Sequence, residues 1–280
     1  MITQALITQA VAIAEKRAKR PGASVYSGRA MTMIERSLYA AKSSNWLIII
    51  SGFVEPVLYL MAFGFGIGQL IGDIQDGSGN PVSYAAYIAP ALLATSAMNG
   101  ALYDATWNVF FKMHFGKIYN GMLSTSMGTL DVALGEIGWA LLRGLSYAVG
   151  FMALVTPLGL IPSAWGILAI PAAVLIAFGF ASFGMAVTSY MKSFQQLELV
   201  NIVLLPMFLF SGSFYPLDVF PEWLQTIIRL FPLAHAIDLI RGLTLGNISW
   251  ALAGHAMYFV VMIVVGLFFT TKRLNALFMR

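Results

Sequence analysis

The sequence predicts an all-α membrane protein with six transmembrane helices, an N-terminal interfacial helix, and re-entrant outer helices between spans five and six. Three observations carry this. First, the 280 residues are 59% hydrophobic and only 10% charged, with a mean hydropathy of +0.80, whereas soluble domains carry about 25% charged residues. Second, six stretches reach or approach the roughly 20 apolar residues that cross a bilayer. They lie at about 46–71, 84–110, 131–156, 164–191, 197–216 and 250–271. Third, thirteen of the sixteen Lys and Arg fall in the N-terminal segment, loops 111–130 and 192–196, and the C-terminal tail. The opposite connections hold only Arg229 and Arg241, and Arg143 lies inside a span. Basic loops stay in the cytoplasm, so both termini are expected there.

Taken in order, residues 1–28 read as an amphipathic, basic extension. Ile2, Leu6, Ala10 and Ile13 share a stripe that ends in Lys16, Arg17, Lys19 and Arg20, before Pro21-Gly22 breaks the segment. Such a pattern suits either a helix lying on an anionic surface or a frayed tail that sets topology. No basic residue precedes its apolar part, unlike a cleaved signal peptide. A membrane domain is expected over 29–273 and a short cytoplasmic tail over 274–280. Arg29 to Lys42 place Met31, Ile34, Leu38 and Ala41 at helical spacing, with Arg36 and Lys42 off the stripe, which predicts an interfacial helix. Trp46, Trp165 and Trp250 each open a span, where an indole sits among headgroups. Gly64, Gly68 and Gly72 form an i, i+4, i+8 ladder that predicts close helix contact. The connection 217–249 is too polar to span and too apolar to be solvated. Pro216, Pro221 and Pro232 divide it, with one stripe of Leu224, Ile227, Ile228 and Phe231 and a second of Ile237, Ile240 and Leu243.

Few residues carry chemistry. With no cysteines there are no disulfides or thiolates, and His114, His235 and His255 are spread far apart, which argues against a metal site. The chain has neither a GxxxxGK[ST] phosphate loop nor an HExxH motif, and Phe210-Ser211-Gly212-Ser213 lacks the GxSG pattern of a membrane serine protease. Catalytic residues and bound cofactors are therefore not expected. Candidate path residues are Glu55, Tyr59, Phe63, Asp104, Glu136 and Arg143. Glu55 sits about 13 Å past Trp46, and Arg143 about 18 Å past Asp131, on spans running the same way. A Glu55–Arg143 contact is the expectation, against the alternative that each faces water separately. Asp104 and Glu136 read either as an acidic mouth or as carboxylates that bind backbone and Lys112 to hold the following loop. An ion-coupled transporter titrating Glu55, Asp104 or Glu136 is one function compatible with these residues. A lipid-modifying enzyme would need a clustered constellation, and none is present.

Three further stretches carry a family resemblance. They are Tyr87-Ile88-Ala89-Pro90-Ala91-Leu92 with Met98; Tyr119-Asn120-Gly121-Met122-Leu123 through Asp131-Val132-Ala133-Leu134-Gly135-Glu136; and Ser211-Gly212-Ser213-Phe214-Tyr215-Pro216 with Pro221, Trp223, Leu230-Phe231-Pro232-Leu233 and Arg241-Gly242. Together they resemble ABC-2 type transport permeases, closest to the branch of nodulation lipo-oligosaccharide and daunorubicin exporters. The resemblance implies a dimeric exporter subunit in a bacterial inner membrane, moving a lipid, glycolipid or hydrophobic drug out of the cytoplasm or inner leaflet. ATP and Mg would be bound by a separate ATP-binding subunit. It further implies that the cytoplasmic loop 112–125 is a coupling helix meeting that subunit through Lys112, His114, Lys117, Ile118, Tyr119, Met122 and Leu123. Arg29, Arg36 and Lys42 would then lie on a connecting helix. The family's Thr-Pro after the coupling helix is Ser126-Met127 here.

Overall fold

In the computed structural model, residues 29–42, 47–75, 79–125 and 127–278 are described. Expectations for residues 1–28, Trp46, Ser126 and Arg280 lie outside them, as do those for the side chains of Ala41 and Lys42. The chain is helical almost throughout, and five helices are long and apolar enough to cross a membrane.

The first described helix, α1 (Ala30–Lys42), packs on α6 (Thr129–Val155). Its buried face differs from the expected stripe. Met33 and Ser37 are buried, while Met31 and Leu38 are 61% and 49% exposed. The reason lies in the partner helix. Gly135 and Gly138 on α6 leave room for Met33 and Ile34, and a Cβ on either glycine would come within 2.5 Å or 2.6 Å of those side chains. The Met31–Leu38 stripe is left facing outward from the bundle.

Helix α2 (Leu47–Tyr59) continues as a π-helical stretch, Leu60–Ile67, and a last turn, Gly68–Ile71. Two of the three glycines of the anticipated ladder make the close contact expected of it. Gly64 and Gly68 lie against Ala85 and Tyr84 of the next span, but Gly72 contacts nothing. Gly72 instead takes φ +75, a left-handed turn open to glycine, and ends the span. A small antiparallel hairpin follows, β1 (Asp73–Gln75) with β2 (Pro81–Ser83), in the register Asp73↔Ser83. It is an addition to the all-α prediction.

Ser83 caps α3 (Tyr84–Tyr103) by accepting a hydrogen bond from the Ala86 amide at 3.3 Å. This helix runs through a π segment, Asp104–Asn108, into α4 (Val109–His114). Tyr84 to His114 forms the centre of the bundle, buried over nearly its whole length and packed by α6, α7 (Ala169–Tyr190) and α10 (Pro232–Leu245). Its many alanines explain how so many helices come near one axis. The short α5 (Ile118–Leu123) then turns the chain back into α6.

Helix α8 (Gln195–Phe210) has 16 residues, shorter than the span expected at 197–216. Ser211 and Gly212 end it, the latter at φ +74. Its Leu199, Ile202, Val203 and Leu205 are 57–65% exposed. Two further pieces follow, α9 (Glu222–Ile228) and α10, bent by 85°. The second buries Ile237, Ile240 and Leu243, as its stripe predicts; of the first stripe, only Ile228 is buried. The last helix, α11 (Trp250–Phe278), makes its broadest contact with α7. Trp250 is 92% exposed at its start.

At this contact between α11 and α7, one helix backbone lies close against the other. A Cβ on Gly266 would lie 2.6–2.8 Å from the backbone of Ser182 and Phe183. Backbone cannot step aside as a side chain can, so Gly266→Leu is expected to cost about 1–3 kcal/mol. A lowered Tm of the detergent-purified chain would report it, whereas Gly254→Leu, with open space around it, is expected to leave Tm unchanged.

Candidate functional site

Four of the charged residues singled out above, Asp104, Lys112, Glu136 and Arg143, gather at one junction. Asp104, Asn108 and Lys112 recur every fourth residue along the continuous helix from α3 to α4, so they share one face. On the antiparallel α6, Glu136 and Arg143 lie seven residues apart. The two faces meet. Arg143 Nε is 2.8 Å from Asp104 Oδ2, and Lys112 Nζ is 2.6 Å from Glu136 Oε2. Asn108 Nδ2 donates to Asp104 Oδ1 from within the π segment. Asp104 and Glu136 are only 2% and 4% exposed. A lone charge among apolar helices is costly, and here each of these carboxylates meets one cation.

This pairing corrects the expected Glu55–Arg143 contact. Glu55 is exposed on α2, and Arg143 turns to Asp104 instead. Equal depth is satisfied by many pairs of residues, but only facing stripes meet. Close contact between α2 and α6 is made one turn away by Gly52, which lies against the Tyr147 ring. Asp104 and Glu136 do not line an open acidic mouth; each is buried against its cation.

Tyr59 and Phe63 fall elsewhere. Their rings stack with centroids 6.0 Å apart, and both meet Phe214 at the exit of α8, at 6.4 and 4.9 Å. Phe208 completes the cluster, 5.6 Å from Tyr59 and 5.2 Å from Phe214. Beside it, the Arg241 guanidinium lies 4.0 Å above the Tyr87 ring and donates to the Gly212 carbonyl at 2.8 Å. Phe208, Phe214 and Asn108 were not among the sequence candidates. The fourfold spacing of Asp104, Asn108 and Lys112 was available as a signal; no comparable periodicity marks the two phenylalanines. His235 and His255, distant in sequence, come together with Nδ1 atoms 2.8 Å apart, contrary to the expected separation. No group of three or more potential metal ligands occurs among the described residues.

At the basic end, α5 is the polar tip of the hairpin joining α4 to α6. Lys117, at φ +45, makes the turn into it. Lys117 and Asn120 are exposed, and Phe115 is 67% exposed. Ile118, Met122 and Leu123 are half-buried. His114 stacks on Phe110 with centroids 4.3 Å apart. Tyr119 departs from the expected outward position, being wholly buried. Its ring meets Phe278 of α11 edge-on at 6.4 Å, and its hydroxyl lies beside Glu136. Burial first, then the Glu136 carboxylate, pushes the Tyr119 phenol well above its usual range, so it stays protonated. Arg29 and Arg36 hold the other side. The Arg29 amide donates to Asp131 Oδ1 at 3.1 Å, fastening α1 to the start of α6. Arg36 is exposed, near enough to Tyr119 for its charge to be felt.

The structure is that of a helical membrane protein whose buried Asp104 and Glu136 are neutralised at a helix interface. Residues 29–245 match the ABC-2 type transporter family, and the chain belongs to that family. It is 30% identical to Nodulation protein J of Rhizobium leguminosarum bv. trifolii over 88% of this chain and 92% of that one. Against the protein of the same name in bv. viciae it is 31% identical, over 88% and 93% of the two chains. It is 29% identical to the Inner membrane transport permease YadH of Escherichia coli, over 74% of this chain and 80% of the relative.

Removing one member of a buried ion pair leaves the other uncompensated. Asp104→Ala is expected to destabilise the chain by about 3–5 kcal/mol. The double change Asp104→Asn with Arg143→Gln is expected to recover most of that loss, as read by thermal unfolding in detergent.

Proposed function

We propose that this transport permease is the membrane subunit of an ATP-driven exporter, working with a separate ATP-binding subunit that carries ATP and Mg. The subunit docks on the segment 112–125 and on α1, at the cytoplasmic end of the bundle. Its docking surface is the exposed side of the turn into α5 and of α5 itself: Phe115, Lys117 and Asn120. The substrate is amphipathic, a lipid, glycolipid or hydrophobic drug, taken from the cytoplasm or the inner leaflet. The aromatic cluster of Tyr59, Phe63, Phe208 and Phe214 forms the apolar wall of its path. A second copy of the permease sits against the exposed apolar face of α8.

One observation supports this reading most. The polar tip is exposed on one side and anchored on the other, with a large aromatic side chain at Phe115 presented outward at 67% exposure. A helix of six residues has little stability of its own, so its position is set by what it touches on either side. The pairing of Asp104 and Glu136 with Arg143 and Lys112 weighs against an ion-coupled mechanism that titrates those carboxylates.

Affinity purification of the tagged chain is expected to recover an ATP-binding subunit in roughly equal amount, and Lys117→Glu together with Phe115→Asp to lose it. Transport in vesicles that stops on collapse of the proton gradient but continues without ATP would reject the proposal. As the chain has no native cysteine, Leu205→Cys is expected to give a disulfide-linked dimer on mild oxidation. Gly121→Cys, exposed on α5, is expected to give none.

A further inference from the structure

Two imidazoles fasten α10 to α11. His235 stands in the first turn of α10 and His255 in the second turn of α11, with their Nδ1 atoms 2.8 Å apart. The ring of Tyr258, further along α11, stacks on His235 with centroids 4.3 Å apart, and its hydroxyl donates to the Leu230 carbonyl at 3.2 Å. Along α11, His255 lies roughly 35 Å from Phe278, whose ring meets Tyr119. The pair therefore sits at the end of the bundle opposite α5. A hydrogen bond between two like nitrogens has a proton requirement: one Nδ1 carries the hydrogen and the other offers a lone pair. Two neutral rings satisfy it, and so does one imidazolium facing one neutral ring. Two imidazoliums set N–H against N–H and charge against like charge.

We infer that His235 and His255 form an acid-sensitive clasp, closed while at least one ring is neutral and released when both are charged. The inference goes beyond the exporter reading and does not depend on it. Both rings are half-buried, so protons reach them without unfolding of the bundle. Burial first, then His255, hold the His235 ring below its usual range, outweighing Asp238 one turn along α10 and the Arg229 carbonyl. The other elements packed on α10, namely α3, α7 and the turn Ala164–Leu168, hold no charged residue that would offset a second proton. Apart, each imidazole titrates near pH 6.5; joined, the second proton binds only at lower pH. The contact is thus at full strength above about pH 6.5 and is lost as pH falls below it. What the clasp governs follows from α10 itself. Its start is held by His235, and further along Arg241 lies over Tyr87 of α3 and donates to the Gly212 carbonyl at the exit of α8. Release of α10 from α11 therefore loosens the element that seats the α8 exit.

The test uses the full chain in lipid nanodiscs. Ala236→Cys, wholly buried on α10, reports release through its rate of labelling by a polar maleimide, in a chain without native cysteine. Ser249→Cys, exposed between α10 and α11, is the reference, because thiol reactivity itself changes with pH. The ratio of the two rates is expected to rise about tenfold from about pH 7.5 to about 5.5, the linkage of one proton across the ordinary histidine value. His235→Phe keeps a ring against Tyr258 and takes no proton. His255→Gln offers an oxygen that accepts from an imidazolium. Each is expected to hold the ratio within about twofold over the same range, whatever its value at the higher pH, a flattening that a merely structural defect would not produce. A flat ratio with both histidines present, or a tenfold rise that survives either substitution, would overturn the clasp. So would a rise abolished by EDTA, which would assign the two imidazoles to a metal ion. Should His235→Phe fail to accumulate, His255→Gln gives the same reading by itself.

Discussion

Charge has no place to go inside a bundle of apolar helices, and that constraint shapes this molecule. Asp104 with Arg143 and Glu136 with Lys112 neutralise each other across one antiparallel interface. The two pairs run in opposite polarity: the span entering the junction carries its acid high and its base low, and the returning span carries the reverse. Only one register of the two helices satisfies both at once. The pairs thereby fix how α6 lies against the central helix. Through Gly135, Gly138 and Asp131, α6 in turn fixes where α1 lies.

The same economy governs the polar tip between those spans. It is built from a strained turn at Lys117, six helical residues and one buried tyrosine. Little in it is self-supporting, and its anchorage lies in the two flanking spans and in α11. Asp131 accepts hydrogen bonds from the amides of Gly128 and Arg29, and Thr129 donates to Asn275 of α11. The start of α6 is therefore tied to both ends of the described chain, so movement of the tip cannot remain local.

Much of the architecture was readable from the residues. Apolar length located the long helices, and prolines together with the Ile237, Ile240 and Leu243 stripe announced the bent outer pair. Facing was harder to read. Matching depth suggested Glu55 for Arg143, but depth does not say which sides of two helices meet; the stripe Asp104, Asn108 and Lys112 does. The buried side of α1 was hidden because it depends on where α6 has glycines. Tyr119 looked like a surface residue within a polar loop, since a short loop offers no periodicity from which to read burial. The π stretches leave no mark in composition at all.

The brevity of α8 has a consequence for the surrounding lipid. Sixteen residues rise about 24 Å, against hydrocarbon about 30 Å deep. Closing that gap by thinning the bilayer costs fractions of a kcal/mol per Å. Where lipid borders this helix beside the proposed contact with a second copy, its acyl chains are thus drawn inward toward the irregular end at Ser211–Pro216.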